Sequence, residues 1–142
     1  MSDNYLHSDI TGLIIKAYYN VYNSLGSGFL EKVYENALMI ELGKLGLSCE
    51  QQKPIEVFYE NQIVGVYYAD IIVGERVIIE LKAIENLSQA HESQIVNYLR
   101  ASKIEVGLLL NFGKSPQYKK SVLTADYKRQ KIDLSGALGL PS

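Results

Sequence analysis

The fold of this chain turns on Val66-Tyr-Tyr-Ala-Asp70-Ile-Ile-Val-Gly74-Glu-Arg-Val-Ile-Ile-Glu80-Leu-Lys82-Ala83. Two apolar, β-branched runs flank Gly74-Glu75-Arg76, the pattern of two strands and a turn. Asp70, Glu80 and Lys82 sit inside runs that otherwise look buried. Buried ionised groups cost several kcal/mol unless paired or metal-bound, so the trio is either a structural ion pair or a site. Glu80 and Lys82 share a strand face, roughly 7 Å apart. A two-residue turn at Gly74-Glu75 sets Asp70 opposite Ile79, facing away from Glu80. A three-residue loop sets Asp70 opposite Glu80, and the charges converge. A site therefore requires an odd-length loop or a bulge, and glycine suits the positive φ such loops use.

Working outward, 142 residues with 47% hydrophobic and 21% charged content are the length and composition of one soluble globular domain. No apolar run reaches the roughly 18 residues a membrane span needs. The amino end lacks a basic start and apolar core of a signal peptide, and Cys49, the one cysteine, cannot pair internally. The expected location is cytoplasmic. A net charge of −2 argues against a broad electropositive surface. The segment Lys114 to Lys131 nevertheless carries Lys114, Lys119, Lys120, Lys128, Arg129 and Lys131 against the lone acid Asp126. It reads as a phosphate-contacting edge, with Lys114, Lys119 and Lys120 as contacts, or as an ordinary solvated surface.

Ile10, Leu13, Ile14, Ala17, Tyr18, Val21, Tyr22 and Leu25 follow the spacing of an amphipathic helix, with Ser8 as its N-cap. Gly26-Ser27-Gly28 separates it from a second helix running to about Leu45, where Gly46 stops it. Glu31 lies at the margin of that helix's apolar arc, sharing a face with Tyr34 and Glu35. It is either a first-turn acid serving the helix dipole or a carboxylate aimed into a cleft. Strands are predicted over 48–59, 62–73 and 77–83, then a helix capped by Ser88 and reaching about Ser102. His91 on this helix reads as a capping or surface residue. Gln94 and Tyr98 form either a polar site or a hydrogen-bonded pair. Val106–Phe112 is continuously apolar, as in a central strand paired in parallel, and 118–123 fits an edge strand. The predicted fold is an α/β sandwich with a mixed sheet and an antiparallel three-strand meander, in the order ααβββαβ(β). It spans residues 8–124, between an amino-terminal tail (1–7) and a partly ordered carboxy-terminal tail (125–142).

Asp70, nine intervening residues, and Glu80-Leu81-Lys82 resemble the PD-(D/E)XK nuclease signature, with Ala69 in place of the proline. Gly28-Phe-Leu-Glu31-Lys-Val-Tyr34 resembles the motif of the GxxExxY proteins, a small family within that superfamily. Gln94-Ile-Val-Asn-Tyr98-Leu-Arg100 and Gly107-Leu-Leu-Leu-Asn111-Phe-Gly113 are similar to the same family. The resemblance implies a restriction-endonuclease-like core and a metal-dependent nuclease acting on nucleic acid, with DNA favoured over RNA as its substrate and RNA left open. Asp70, Glu80 and the Leu81 backbone carbonyl would bind metal. Lys82 would orient or help deprotonate water, or stabilise charge at the phosphate. Glu31 would complete the cleft as the helix-borne acid, and Gln94 would line it. Gly28, Tyr34 and Tyr98 match motif positions without an assigned role. Hard carboxylate ligands suit Mg²⁺ or Mn²⁺. The competing readings are a non-catalytic nucleic-acid-binding or interaction module and hydrolysis of a small phosphate ester. A homodimer would extend the surface available to a duplex.

Overall fold

The computed structural model describes residues 6–128. Expectations for the first tail residues, for the tail beyond 128 and for Arg129 and Lys131 lie outside the described residues.

The elements are α1 (Ser8–Leu25), α2 (Glu31–Lys44), β1 (Cys49–Tyr59), β2 (Gln62–Val73), β3 (Val77–Lys82), α3 (Gln89–Arg100), β4 (Val106–Phe112) and β5 (Pro116–Val122). Periodicity anticipated every one of them, with ends displaced by a residue or two. One cap differs. His7, with φ 54°, precedes α1, and Ser8 is its first helical residue with no side-chain cap bond. Ser88 does cap α3: the His91 ring nitrogen accepts its backbone N–H at 3.1 Å. His91 is thus a capping residue.

The five strands form one sheet in chain order, antiparallel except for β3 and β4, which run parallel. Each face of the sheet carries its own core. Ile14, Tyr18, Leu38 and Leu42 of α1 and α2 pack on Ile71, Ile79, Leu81, Leu108 and Leu110. On the other face, Ile95, Tyr98 and Leu99 of α3 pack on Ile55, Ile72 and Ile78. Every residue of β4 is buried, as its continuous apolar run requires of a strand covered on both faces.

Tyrosines fasten the loops beside the sheet. The Tyr34 hydroxyl donates to the Gly26 carbonyl at 2.6 Å and accepts the Phe29 N–H at 3.1 Å, while its ring stacks on Phe112 at 4.3 Å. Gly28 between them has φ 113°, a conformation side chains disfavour. Gly28 and Tyr34 therefore shape the α1–α2 loop, which explains two motif positions without chemistry. Fully buried Asn111 binds the backbone of Ile84 through both amide atoms, at 2.9 and 3.0 Å, fixing the chain where it leaves β3. A Cβ on Gly113 would lie 1.9 Å from the Ile84 carbonyl oxygen, so only glycine lets the two segments approach.

Candidate active site

The meander register settles the loop question. Val73 pairs with Val77, Ile72 with Ile78 and Ile71 with Ile79, so Gly74, Glu75 and Arg76 form a three-residue loop. Gly74 and Glu75 both have φ 55° and the Arg76 N–H closes the turn on the Val73 carbonyl at 2.9 Å. Positive φ at both central positions suits a tight hairpin turn, with Arg76 as the extra residue. The register, continued by one step, sets Asp70 opposite Glu80.

At that step the ladder stops and side chains replace it. The Asp70 backbone N–H donates to Glu80 Oε1 at 3.1 Å, and the Leu81 N–H donates to Asp70 Oδ2 at 2.8 Å. Beyond this crossed pair, β2 continues alongside β1 only and β3 alongside β4 only. The two strands part at these carboxylates. Glu80 is 6% exposed, and its carboxyl is pushed up to about 8 by burial first and by the Asp70 charge second, with Lys82 pulling weakly the other way. The Lys82 ammonium makes no hydrogen bond or ion pair among the described residues, so it is available to a ligand.

The acid that α2 sends toward this pair is Glu35. Glu31 is exposed at the first helical position and has no bonded partner among the described residues. Glu35, one turn on, is 4% exposed and accepts from Gln52 Nε2 at 3.0 Å, Gln51 Nε2 at 2.7 Å and Lys32 Nζ at 2.9 Å. Gln52 Nε2 also lies 3.3 Å from Asp70 Oδ1, linking helix acid to strand acid. Gln52 reaches both because its backbone is left-handed, φ 53°, which is uncommon for a residue other than glycine. Such outliers persist where surrounding contacts hold them, often at functional sites. Glu35 was visible in the sequence: it lies three residues before Leu38 and seven before Leu42, on the apolar stripe. Nothing in the sequence marked Gln52.

From the opposite face, α3 contributes Gln94 and Tyr98, joined by Gln94 Nε2 donating to the Tyr98 hydroxyl at 3.1 Å. Tyr98 is buried, and its hydroxyl is pushed up to about 12 by burial and then by the charges of Glu80 and Asp70. Gln94 and Tyr98 are thus a hydrogen-bonded pair, of which the Tyr98 hydroxyl stands in the field of the carboxylates.

The three lysines of the basic segment are not gathered into one edge. Lys120 points at α1, donating to the Leu6 carbonyl at 2.8 Å and Thr11 Oγ1 at 3.4 Å. Lys119 faces the other way, 3.9 Å from Glu92. Lys128 also turns inward, onto the Ser102 and Ile104 carbonyls. Alternation along a strand explains the split between Lys119 and Lys120. Lys114 is exposed in the β4–β5 turn, along a groove it shares with Gly28, Phe29 and Ala83–Glu85.

Among the described residues no group of three or more His, Cys, Asp or Glu side chains is placed to hold a metal ion. The Asp70–Glu80 pair is two carboxylates, so a cation held there would need further ligands from backbone oxygens, water or substrate. The described residues include no helix long and apolar enough to cross a membrane.

Comparison with known proteins agrees with this architecture. The fold is similar to the crystal structure of SSO0001, with a TM-score of 0.51 and 18% identity over 78% of this chain and 59% of that one. An alkaline exonuclease (LHK-Exo) from Laribacter hongkongensis aligns over 75% of this chain and 62% of its own, with a TM-score of 0.42 and 10% identity. The chain thus spans less than two thirds of either structure. No protein of curated function matches its sequence. The sequence model of one family matches residues 8–123, nearly everything the structure describes, and the chain belongs to that family, the PD-(D/E)XK nuclease superfamily.

Proposed function

We propose that this chain is a metal-dependent nuclease that hydrolyses phosphodiester bonds in DNA in preference to RNA. The observation that carries the proposal is the crossed Asp70–Glu80 pair where β2 and β3 part. Membership of a nuclease superfamily supports a nucleic-acid substrate.

The donor set fits a hard divalent cation such as Mg²⁺ or Mn²⁺. Two carboxylates face each other, and burial and mutual repulsion hold Glu80 protonated up to about pH 8. A divalent charge would offset both costs. The Leu81 N–H is turned toward Asp70, and a strand residue presents its N–H and C=O to the same side. Its carbonyl is therefore a suitable third protein ligand beside Asp70 and Glu80. A cation held by these residues would supply a more acidic water and would offset charge on the phosphate. Lys82, sharing a face with Glu80, would position the attacking water or a phosphate oxygen. Glu35 holds Gln52, and Gln52 steadies Asp70, so Glu35, as a positioning residue, stands where Glu31 was expected as the helix-borne acid. Gln94 lines the α3 wall through Tyr98. Lys114 is the lysine suited to a distant phosphate. A homodimer is part of the proposal, because one compact domain offers little surface to grip a nucleic acid.

The test is cleavage of end-labelled DNA and RNA, single- and double-stranded, with Mg²⁺ or Mn²⁺. Wild type should cut DNA, while Asp70→Asn and Lys82→Ala should each lose at least about 100-fold of that activity. Undiminished cleavage by both variants would refute the site. No cleavage of any substrate with either metal would favour the non-catalytic module.

A further inference from the structure

The β1–β2 hairpin outruns the rest of the sheet. Its distal residues pair only with each other and carry exposed Phe58, Tyr59, Tyr67 and Tyr68. A groove of about 390 Å³ lies between this arm and the end of α3, lined by Val57, Phe58, Tyr67, Asn97, Arg100 and Ala101. Tyr98 links the groove to the carboxylate pair. The Tyr67 ring packs on Tyr98 at 5.1 Å, and Tyr98 stands in the field of Glu80 and Asp70. Tyr67 is three residues from Asp70 along β2, roughly 10 Å.

We propose that this groove seats an unstacked base of a single-stranded nucleic acid, next to the Asp70–Glu80 pair. The inference rests on reading that pair as a nuclease centre. The groove's chemistry favours this occupant over an apolar surface. Tyr67 and Phe58 offer ring faces, to which any base can stack. Arg100 is exposed, with no carboxylate partner among the described residues, and suits a flanking phosphate or the face of a base. Asn97 supplies an amide for a base edge. A duplex hides its base faces and needs a basic surface, whereas this chain carries a net charge of −2. A splayed single strand can use the rings instead.

The experiment is fluorescence anisotropy of labelled oligothymidylate, oligouridylate and a short duplex, with full-length protein in EDTA. Wild type, Tyr67→Ala, Tyr67→Phe and Arg100→Ala are compared, and each is assayed separately for Mn²⁺-dependent cleavage. Wild type should prefer single strands. Tyr67→Ala should bind them about ten-fold or more weakly, and Tyr67→Phe should restore binding, since only the ring is needed. Arg100→Ala should reduce the slope of log affinity against log salt by roughly 0.7, one phosphate contact. The two homopolymers distinguish a DNA from an RNA occupant. Single-strand binding by Tyr67→Ala equal to wild type, or an equal loss on duplex, would overturn the proposal. So would a dimer whose interface covers the groove and leaves no single-strand binding. Tyr67-dependent binding without cleavage would uphold the groove and refute the nuclease centre. Cleavage without Tyr67-dependent binding would do the reverse.

Discussion

Replacing Glu80 with glutamine should stabilise the metal-free protein, by an amount that grows with pH. Glu80 is buried, accepts the Asp70 N–H at 3.1 Å and keeps its proton up to about pH 8, against 4.5 when free. Between those values the folded state binds more protons than the unfolded state, so stability falls as pH rises. The fall is about 1.4 kcal/mol per pH unit, hence about 3 kcal/mol by pH 7 and about 5 kcal/mol once pH passes 8. Glutamine imitates the protonated acid: its oxygen can accept the Asp70 N–H, and its amide can donate toward the Asp70 carboxylate. The variant should therefore match wild type near pH 5 and exceed it by about 3 kcal/mol at pH 7, roughly 10 °C in Tm at this size. Urea denaturation in EDTA from pH 5 to 9 measures both curves. If Glu80→Gln is less stable than wild type at pH 8, the carboxylate is a structural ion-pair partner of Lys82 and the reasoning fails. A wild-type curve that rises through this range would be equally damaging.

Saturating Mn²⁺ at about 100 times its Kd should stabilise wild type by about 2.7 kcal/mol. The apparent affinity should be greater at pH 8.5 than at pH 6, because a ligating Glu80 must lose its proton; thermal shift at both values measures this. Tyr34→Phe keeps the stack on Phe112 but strands the Phe29 N–H and the Gly26 carbonyl, so it should cost about 1–2 kcal/mol by chemical denaturation. Glu35→Ala should lower metal-dependent cleavage about 10- to 100-fold through Gln52 and Asp70, and Glu31→Ala much less. Equal losses in the two variants would return the helix-acid role to Glu31.

The fold was legible because its elements differ in period and length. Ile10 through Leu25 repeats at helical spacing, Val106–Phe112 is apolar without a break, and glycines fall at Gly26, Gly46 and Gly74, where the backbone turns left-handed. The convergence of Asp70 and Glu80 was legible only as an alternative, since it depends on one loop residue. The conformation of Gly74 and Glu75 decided it. What escaped the sequence was decided by tertiary contact. Gln52 reaches Glu35 and Asp70 through a backbone conformation its residue type does not advertise. Glu31 carries the motif, but Glu35 sits one turn deeper, where α2 meets the sheet. The lysine run looked like one surface, yet strand alternation sends Lys119 and Lys120 to opposite faces and turns the ammonium of Lys120 onto the Leu6 carbonyl and Thr11.

The central claim is that Asp70 and Glu80 together hold a divalent cation. Calorimetric titration of Mn²⁺ and Mg²⁺ at pH 8.5, into wild type and Asp70→Ala/Glu80→Ala, tests it most directly. Binding near one ion per chain by wild type, lost in the double variant, is the predicted result. Binding that survives in the double variant, or none by wild type even with nucleic acid present, would contradict it.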